Sequence, residues 1–172
     1  MSKTIKMNLS TASVKEAIRQ VRDYQEELKR KTSLFVQRLA EVGIKTIDAH
    51  KYSQGDADFN DLQTYVWLTE DDVKATATLV LHGKDIAFIE FGAGVHFNGS
   101  VGSSPNPFGQ KFGMTIGSYG KGQGANDSWV YYDADRGRFV TTHGTKAAMP
   151  MYYADQEILN QITNIAREVF ES

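Results

Sequence analysis

The sequence contains no cysteine and only three prolines among its 172 residues. Without cysteine the chain has no disulfide framework and no thiolate nucleophile. No apolar run approaches the roughly 18 residues that a membrane-spanning helix needs. Lys3 and Lys6 are not followed by the continuous apolar segment of a signal peptide. We therefore expect a chain that is made and folded in a cytosol and has no membrane partner.

A strong basic excess is also missing, since the formal net charge is -2. The charge is uneven: residues 1–51 carry 11 Lys or Arg against 6 Asp or Glu, and residues 52–172 carry 8 against 15. Basic residues interleaved with aromatics, as in a general nucleic-acid binder, are not found. Opposite charges on two parts of a chain suit head-to-tail contacts between copies, and two solvated faces explain the same pattern.

The first element present is a long amphipathic segment. Ser13 and Glu16 match a capping box, and Gly43 is a typical helix stop. These signals predict a helix over residues 13–43, about 45 Å long at 1.5 Å per residue. Such a helix either kinks near residues 31–33 or packs part of its stripe on another molecule, most economically a second copy. The apolar stripe recurs at spacings of three, four or seven: Val14, Ile18, Val21, Leu28, Phe35, Leu39 and Val42.

The later elements predict an α+β fold in a single domain. Residues 62–92 are predicted as strands that include a hairpin, although residues 86–91 fit a third strand or a short helix. Residues 128–142 predict a second hairpin, and residues 150–170 predict a C-terminal helix with Pro150 in its first turn. We expect the two amphipathic helices to pack on one antiparallel β-sheet.

Between these parts, residues 93–127 are predicted to form an extended glycine-rich loop or arm. Ten of the 15 glycines lie from Gly92 to Gly124. A connection of this length without periodicity is unusual in a compact domain. We expect the arm to order against a partner, because it also carries apolar anchors: Phe97, Phe108, Phe112, Met114 and Tyr119.

Motifs that carry chemistry are weak throughout. Residues 56–60 resemble the start of a calcium loop, but Asp61 replaces the required glycine and Trp67 the final glutamate. Residues 117–124 resemble a phosphate loop but lack its Gly-Lys-Ser/Thr ending. We predict no catalytic residue, cofactor or metal. The alternative is a small metal-dependent hydrolase that gathers histidines at the glycine-rich loop, although none has a metal-ligand spacing to another: His50, His82, His96 and His143.

One carboxylate, Glu90, lies inside the apolar run of residues 86–94. The ordinary interpretation is an acid at the edge of the run, in water or capping a neighbouring element. Gly92 and Gly94 then release the chain into the arm, since glycine permits positive φ and close approach of another backbone. We therefore interpret this stretch as a structural junction.

Two short motifs resemble a known family. Residues 87–92, Ala-Phe-Ile-Glu-Phe-Gly, are similar to Tyr-x-x-x-Val-Glu-Phe-Gly-Thr, and residues 142–151 are similar to a Gly-x-x-Ala-x-Pro-Phe-Leu approach to the last helix. Together with the order of elements, they resemble the tail-completion, or head–tail joining, proteins of long-tailed bacteriophages. Ala93 replaces the family's usual threonine, and Met149-Pro150-Met151 replaces its Arg/Gln-Pro-Phe.

The resemblance implies a non-enzymatic virion protein, assembled in the host cytoplasm and located at the head–tail junction. It implies a homo-oligomeric ring, typically sixfold, that joins the connector to the tail-tube protein while DNA passes through the lumen without sequence recognition. The neck side, the tail-terminator side and a minor capsid component stay open. The candidate assembly residues are Glu90, Phe91, Gly92, Gly94, Phe108, Phe112, Met149 and Pro150.

Overall fold

The computed structural model describes residues 4–52, 55–71, 74–94, 104–114 and 127–171. Within them the fold is α+β, as predicted: a long N-terminal helix, a C-terminal helix and antiparallel strands in small sheets. Two helices are long, α1 (Thr11–His50) and α3 (Pro150–Phe170), and a short one, α2 (Ile86–Phe91), lies between them. No helix in the described ranges is long and apolar enough to cross a membrane.

Helix α1 is longer than predicted at both ends. Its N-cap is Ser10, whose hydroxyl accepts the Ser13 amide at 3.3 Å, so the predicted capping box at Ser13 was wrong. Gly43 does not end the helix. A Cβ at Gly43 would overlap the Leu79 side chain and approach Ile158 Cδ1 to 2.9 Å. The glycine therefore permits close packing against the middle of the helix. Because glycine also favours helix ends, the residue type alone does not distinguish these two roles.

Helix α3 has the predicted bounds and runs antiparallel to α1. The rings of Phe35 and Phe170 lie 5.8 Å apart, and those of His50 and Tyr153 lie 4.7 Å apart. Between these ends, Arg38 donates to Glu168 at 2.8 Å. Helix α3 therefore covers residues 35–50 of α1, and the rest of α1 extends past the end of α3.

The part of α1 from residue 11 to residue 34 is here called the overhang. It is one uninterrupted piece of helix through residues 31–33, and every residue from 21 to 30 is exposed. At 1.5 Å per residue its length is about 36 Å. The helix has no break at residues 31–33, and packing of its stripe on another molecule stays a prediction.

The strands form three separate antiparallel pairs among the described residues, so the prediction of one continuous sheet was wrong. Both predicted hairpins are confirmed, as β1 (Gln63–Glu70) with β2 (Ala75–His82) and as β4 (Trp129–Asp133) with β5 (Arg138–Thr142). The third pair has only two residues a strand, β3 (Ala93–Gly94) with β6 (Gly144–Thr145). No run in the sequence marks such short strands, because their pairing depends on distant backbone.

The first hairpin packs on α1. Leu79 of β2 lies against Gly43, and the Thr64 hydroxyl of β1 donates to Asp48 at 2.9 Å. The ammonium of Lys51 also donates to Asp48, and this contact holds the pKa of Asp48 below its usual value. The core thus lies where α1, α3 and the β1–β2 hairpin meet, with Ile47 fully buried in it.

In two stretches, residues 86–92 and 93–127, the secondary structure differs from the prediction. Residues 86–91, left open between strand and helix, form α2, so the predicted strand region does not run to residue 92. Within the predicted arm, residues 93–94 form β3 and residues 107–112 form a 3₁₀ helix, so these parts pack into the fold. Residues 95–103 and 115–126 of the arm, with Phe97 and Tyr119, lie outside the described residues.

Candidate assembly junction around Glu90

The carboxylate of Glu90 caps the N-terminus of α3. Its Oε2 accepts the amide of Met151 at 2.9 Å, and its Oε1 accepts the amide of Tyr152 at 3.1 Å. The side chain is only 5% exposed. The first amides of a helix have no partner inside the helix, and a carboxylate there satisfies them and complements the helix dipole. Of the two environments expected for Glu90, the structure shows the capping one.

The same carboxylate holds the described part of the arm. The side-chain amide of Asn106 donates to Glu90 Oε1 at 3.0 Å. The side-chain oxygen Oδ1 of Asn106 accepts the Phe108 amide at 3.0 Å and thereby caps the 3₁₀ helix. Glu90 therefore joins three segments that are distant in sequence: α2, the 3₁₀ helix and α3.

Backbone contacts reinforce this connection. The carbonyl of Ile89 accepts the amide of Ala148 at 2.7 Å and that of Met149 at 3.4 Å. Met149 has φ 58°, the left-handed region that non-glycine residues rarely adopt. This turn delivers Pro150, which is buried, into the first turn of α3. A left-handed methionine costs on the order of 1–3 kcal/mol, so the surrounding contacts must impose it.

Glycines let backbones meet beside Glu90. Gly94 has φ 72°, and a Cβ there would overlap the ring of Trp129. Gly144 has φ 92°, and a Cβ there would overlap the carbonyl of Ala93 on the paired strand. Both positions therefore combine a positive φ with a close approach, and either reason alone favours glycine.

The predicted aromatic anchors differ in burial. Phe91 is buried, and its ring lies 5.9 Å from that of Phe112 in a stacked arrangement. Phe112 and Phe108 are largely exposed, and the Lys111 ammonium lies 4.8 Å from the centre of the Phe108 ring. Met114 is buried, so the arm is anchored on both sides of its 3₁₀ helix.

All eight candidate assembly residues thus lie in or beside one structural unit. Gly92, with φ 80°, ends α2 by donating its amide to the Phe88 carbonyl. We call this unit the Glu90 junction and define it by Ile89, Glu90, Phe91, Gly92, Ala93, Gly94, Asn106, Gly144, Ala148, Met149 and Pro150. Both oxygens of its carboxylate accept hydrogen bonds from the protein, which suits a structural capping role.

A cleft of about 700 Å³ borders the junction, between the β4–β5 hairpin and residues 56–58 and 84–88. Trp129 and Tyr131 line its apolar side. Its carboxylates are used by the fold. Lys84 pairs with Asp135, which raises the pKa of Lys84 and lowers that of Asp135.

The calcium-like segment also serves the fold. Asp56 Oδ2 accepts the Thr142 hydroxyl at 2.8 Å and the His143 amide at 2.9 Å. The amide of Asp58 donates to Asp85 at 2.8 Å. These bonds tie residues 56–58 to β5 and to the start of α2.

The histidines do not form a metal site among the residues that the structure describes, which contain no cluster of three potential His, Cys, Asp or Glu ligands. The His50 ring lies tilted against that of Tyr153, and His82 and His143 are exposed. His96 and the phosphate-loop-like residues 117–124 lie outside the described ranges.

The sequence did not indicate the structural roles of two residues of this region, Asn106 and Asp56, although Asp56 begins the calcium-like segment. Asn106 precedes Pro107, and an Asn-Pro pair is a recognisable signal for a capped helical turn. Asp56 had no comparable signal, because its partners are 86 and 87 residues away.

No family model matches the chain, and neither a curated protein nor a solved structure matches it.

Proposed function

We propose that this chain is a structural protein of the tailed-phage virion that assembles as a ring at the head–tail junction. The observation that carries the proposal is the Glu90 junction. The two motifs that resemble the head–tail joining family lie about 60 residues apart in sequence, and the Glu90 side chain hydrogen-bonds directly to the second motif.

The contacts explain why each motif needs its particular residue types. In the first motif, the glutamate must be an acceptor at the start of α3, and the glycine must end α2. In the second, the residues before the proline must turn sharply so that their amides reach Ile89. Two motifs that contact each other in the fold support the resemblance more strongly than either motif alone. Two chance similarities would not be expected to fall on residues that are in contact.

The overhang supports an oligomer. The C-terminal half of α1 packs into the core, whereas the overhang of the same helix carries exposed apolar side chains. Ile18, for example, is 49% exposed. Exposed apolar surface in one stripe is typical of a face that binds a protein. Sixfold assembly, the connector and tail-tube partners, and passage of DNA through the lumen follow from the resemblance.

The test is native mass spectrometry combined with chemical cross-linking, on the chain alone and with connector or tail-tube protein. We expect a ring, or a complex with at least one of these partners. Binding to neither partner by a chain that stays monomeric would refute the proposal. A complex with capsid protein in their place would favour the minor capsid alternative.

Limited proteolysis adds an independent measurement. We expect cleavage between Gly92 and Gly124 in the free protein and protection of that range after assembly. Equal cleavage in both states would contradict a contact role for the arm. Cleavage in the loop of the β4–β5 hairpin, around Gly137, provides an internal reference for protease activity.

A further inference from the structure

The overhang continues a face of α1 that α3 covers in the other half of the helix. Val14, Val21 and Leu28 are seven residues apart and lead in the same register to Phe35, which contacts α3 through Phe170. Residues spaced by seven lie on nearly the same side of a helix. Leu28 is nevertheless 43% exposed, because α3 ends before reaching it.

A row of basic residues borders this exposed stripe. Lys15, Arg22 and Lys29 each follow an apolar stripe residue directly and therefore lie along one edge of it. Glu16 and Asp23 lie on the far side of the helix, where both contact Arg19. Glu26 lies within the basic row, four residues after Arg22, and Glu27, on the other edge of the stripe, pairs with Lys31 of the same helix at 3.6 Å. Pairing α1 with α1 of another copy would therefore bring few carboxylates to the basic edge, so charge disfavours that arrangement.

The covered half of α1 shows what kind of surface fits such a stripe. There, the basic residue Arg38 lies close to Phe35 and pairs with Glu168 of α3 at 2.8 Å. The covering element is thus a helix with an apolar face and an acidic residue beside it. Helix α3 has three acidic residues and one basic residue, whereas the overhang has six basic and four acidic residues.

One edge of the apolar stripe of α3 is not completely covered by anything in the described part of the chain. Leu159 is 57% exposed, and Ile162 beside it is also exposed. Asp155 is exposed and lies four residues before Leu159, on the same face. Ile162 adjoins the stripe that α3 buries in the core, since the buried Ile165 follows it by three residues, and Asp155 and Leu159 lie farther from that stripe.

We propose that the overhang of one copy packs on the Asp155–Leu159–Ile162 face of α3 in a second copy, with Arg22 next to Asp155. The inference rests on the oligomeric part of the proposed function. Each copy offers one overhang and one α3 face, so the contact closes either as a reciprocal pair of two copies or, when it repeats head to tail, as a larger ring or an open filament.

Cysteine cross-linking tests the contact directly, since the chain has no cysteine of its own. A Val21→Cys protein is mixed with a Leu159→Cys protein and treated with a short thiol cross-linker. We expect a severalfold higher yield of the mixed dimer than from the control pair Asp23→Cys and Leu159→Cys, whose α1 cysteine is on the opposite side of the helix. Circular dichroism verifies that each variant keeps its helix content.

Equal yields from the two pairs across the accessible concentration range would overturn the proposal. A Val21→Cys protein that cross-links to itself more readily than to Leu159→Cys would also overturn it, in favour of α1–α1 pairing. Because only this chain is used, the result does not depend on whether connector or tail-tube protein binds.

A charge reversal across the two copies tests the acidic partner. Adding Arg22→Glu to the Val21→Cys protein should lower the yield severalfold, and adding Asp155→Arg to the Leu159→Cys protein should restore it. Restoration would support the Arg22–Asp155 pairing. Failure of the second change to restore the yield would overturn the assignment of this α3 face.

Discussion

The Glu90 junction and the overhang use the same kinds of residue in opposite ways. In the junction, a carboxylate, a carbonyl and several amides find partners within the chain, and glycines bring the backbones together. In the overhang, apolar side chains and charges lie on a continuous helix that extends past its covering element. The comparison shows that the overhang can be a regular helix although its apolar side chains are not buried by the rest of the chain.

The largest expected difference separates the buried and exposed parts of α1. Ile47→Ala should destabilise the chain by roughly 2–5 kcal/mol, because Ile47 is fully buried and its loss leaves a cavity. Leu28→Ala, in the overhang, should change the free energy of unfolding of the monomer by less than about 0.5 kcal/mol. Urea unfolding at low protein concentration measures both.

Equal destabilisation by the two substitutions would break the comparison, since it would mean that the overhang is packed in the monomer. Because both changes replace a large aliphatic side chain in the same helix by alanine, helix propensity affects them similarly.

The Glu90 junction should respond to loss of its acceptor. Glu90→Ala leaves the amides of Met151 and Tyr152 and the side-chain amide of Asn106 without their partner, at a cost of roughly 1–3 kcal/mol. The exposed Glu26→Ala in the overhang is the matched control and should be close to neutral. Urea unfolding midpoints measure the pair, and a neutral Glu90→Ala would contradict the structural role.

A smaller and more local effect is expected from Asn106→Ala. It removes one hydrogen bond to Glu90 and the cap of the 3₁₀ helix, worth about 1 kcal/mol. Hydrogen exchange of residues 107–114 should accelerate while exchange in α3 stays unchanged, since the two α3 amides keep Glu90. Equal acceleration in both segments would show that the junction opens as one unit.

The smallest effect concerns the start of the overhang at low pH. Hydrogen bonds from Arg19 and Gln20 lower the pKa of Glu16 from 4.5 to about 2. Because the folded-state pKa is depressed, this contribution is fully present above pH 4.5 and is lost as the pH falls toward 2. Amide exchange in the first turns of α1 should rise over that window, with unfolding midpoints little changed.

Glu16→Gln is the control for this titration and should abolish the pH dependence of exchange in those turns. The same acceleration in the variant would mean that another group is responsible.

Much of the secondary structure was predictable from local pattern. The apolar stripe of α1, both hairpins and the bounds of α3 follow from periodicity and from Pro150, because these signals act over a few residues. The ends of α1 were predicted less well. Gly43 matches a helix stop in sequence, and only its neighbours Leu79 and Ile158 reveal a packing role.

The residues of the junction were identifiable, but not what they do together. The Ile-Glu-Phe-Gly and Met-Pro stretches were evident as motifs, and no local rule links a glutamate to amides 61 and 62 residues away. Asn106 escaped notice for the same reason, since its amide partner lies in α2.

The sequence by itself determined the helix-forming stripe and the turns, because these depend on local sterics and spacing. Only the tertiary structure decided that Glu90 caps α3 and that α3 stops short of the overhang. Both facts depend on how distant segments meet, and hydrogen bonds and burial between such segments have no periodic signature in the chain.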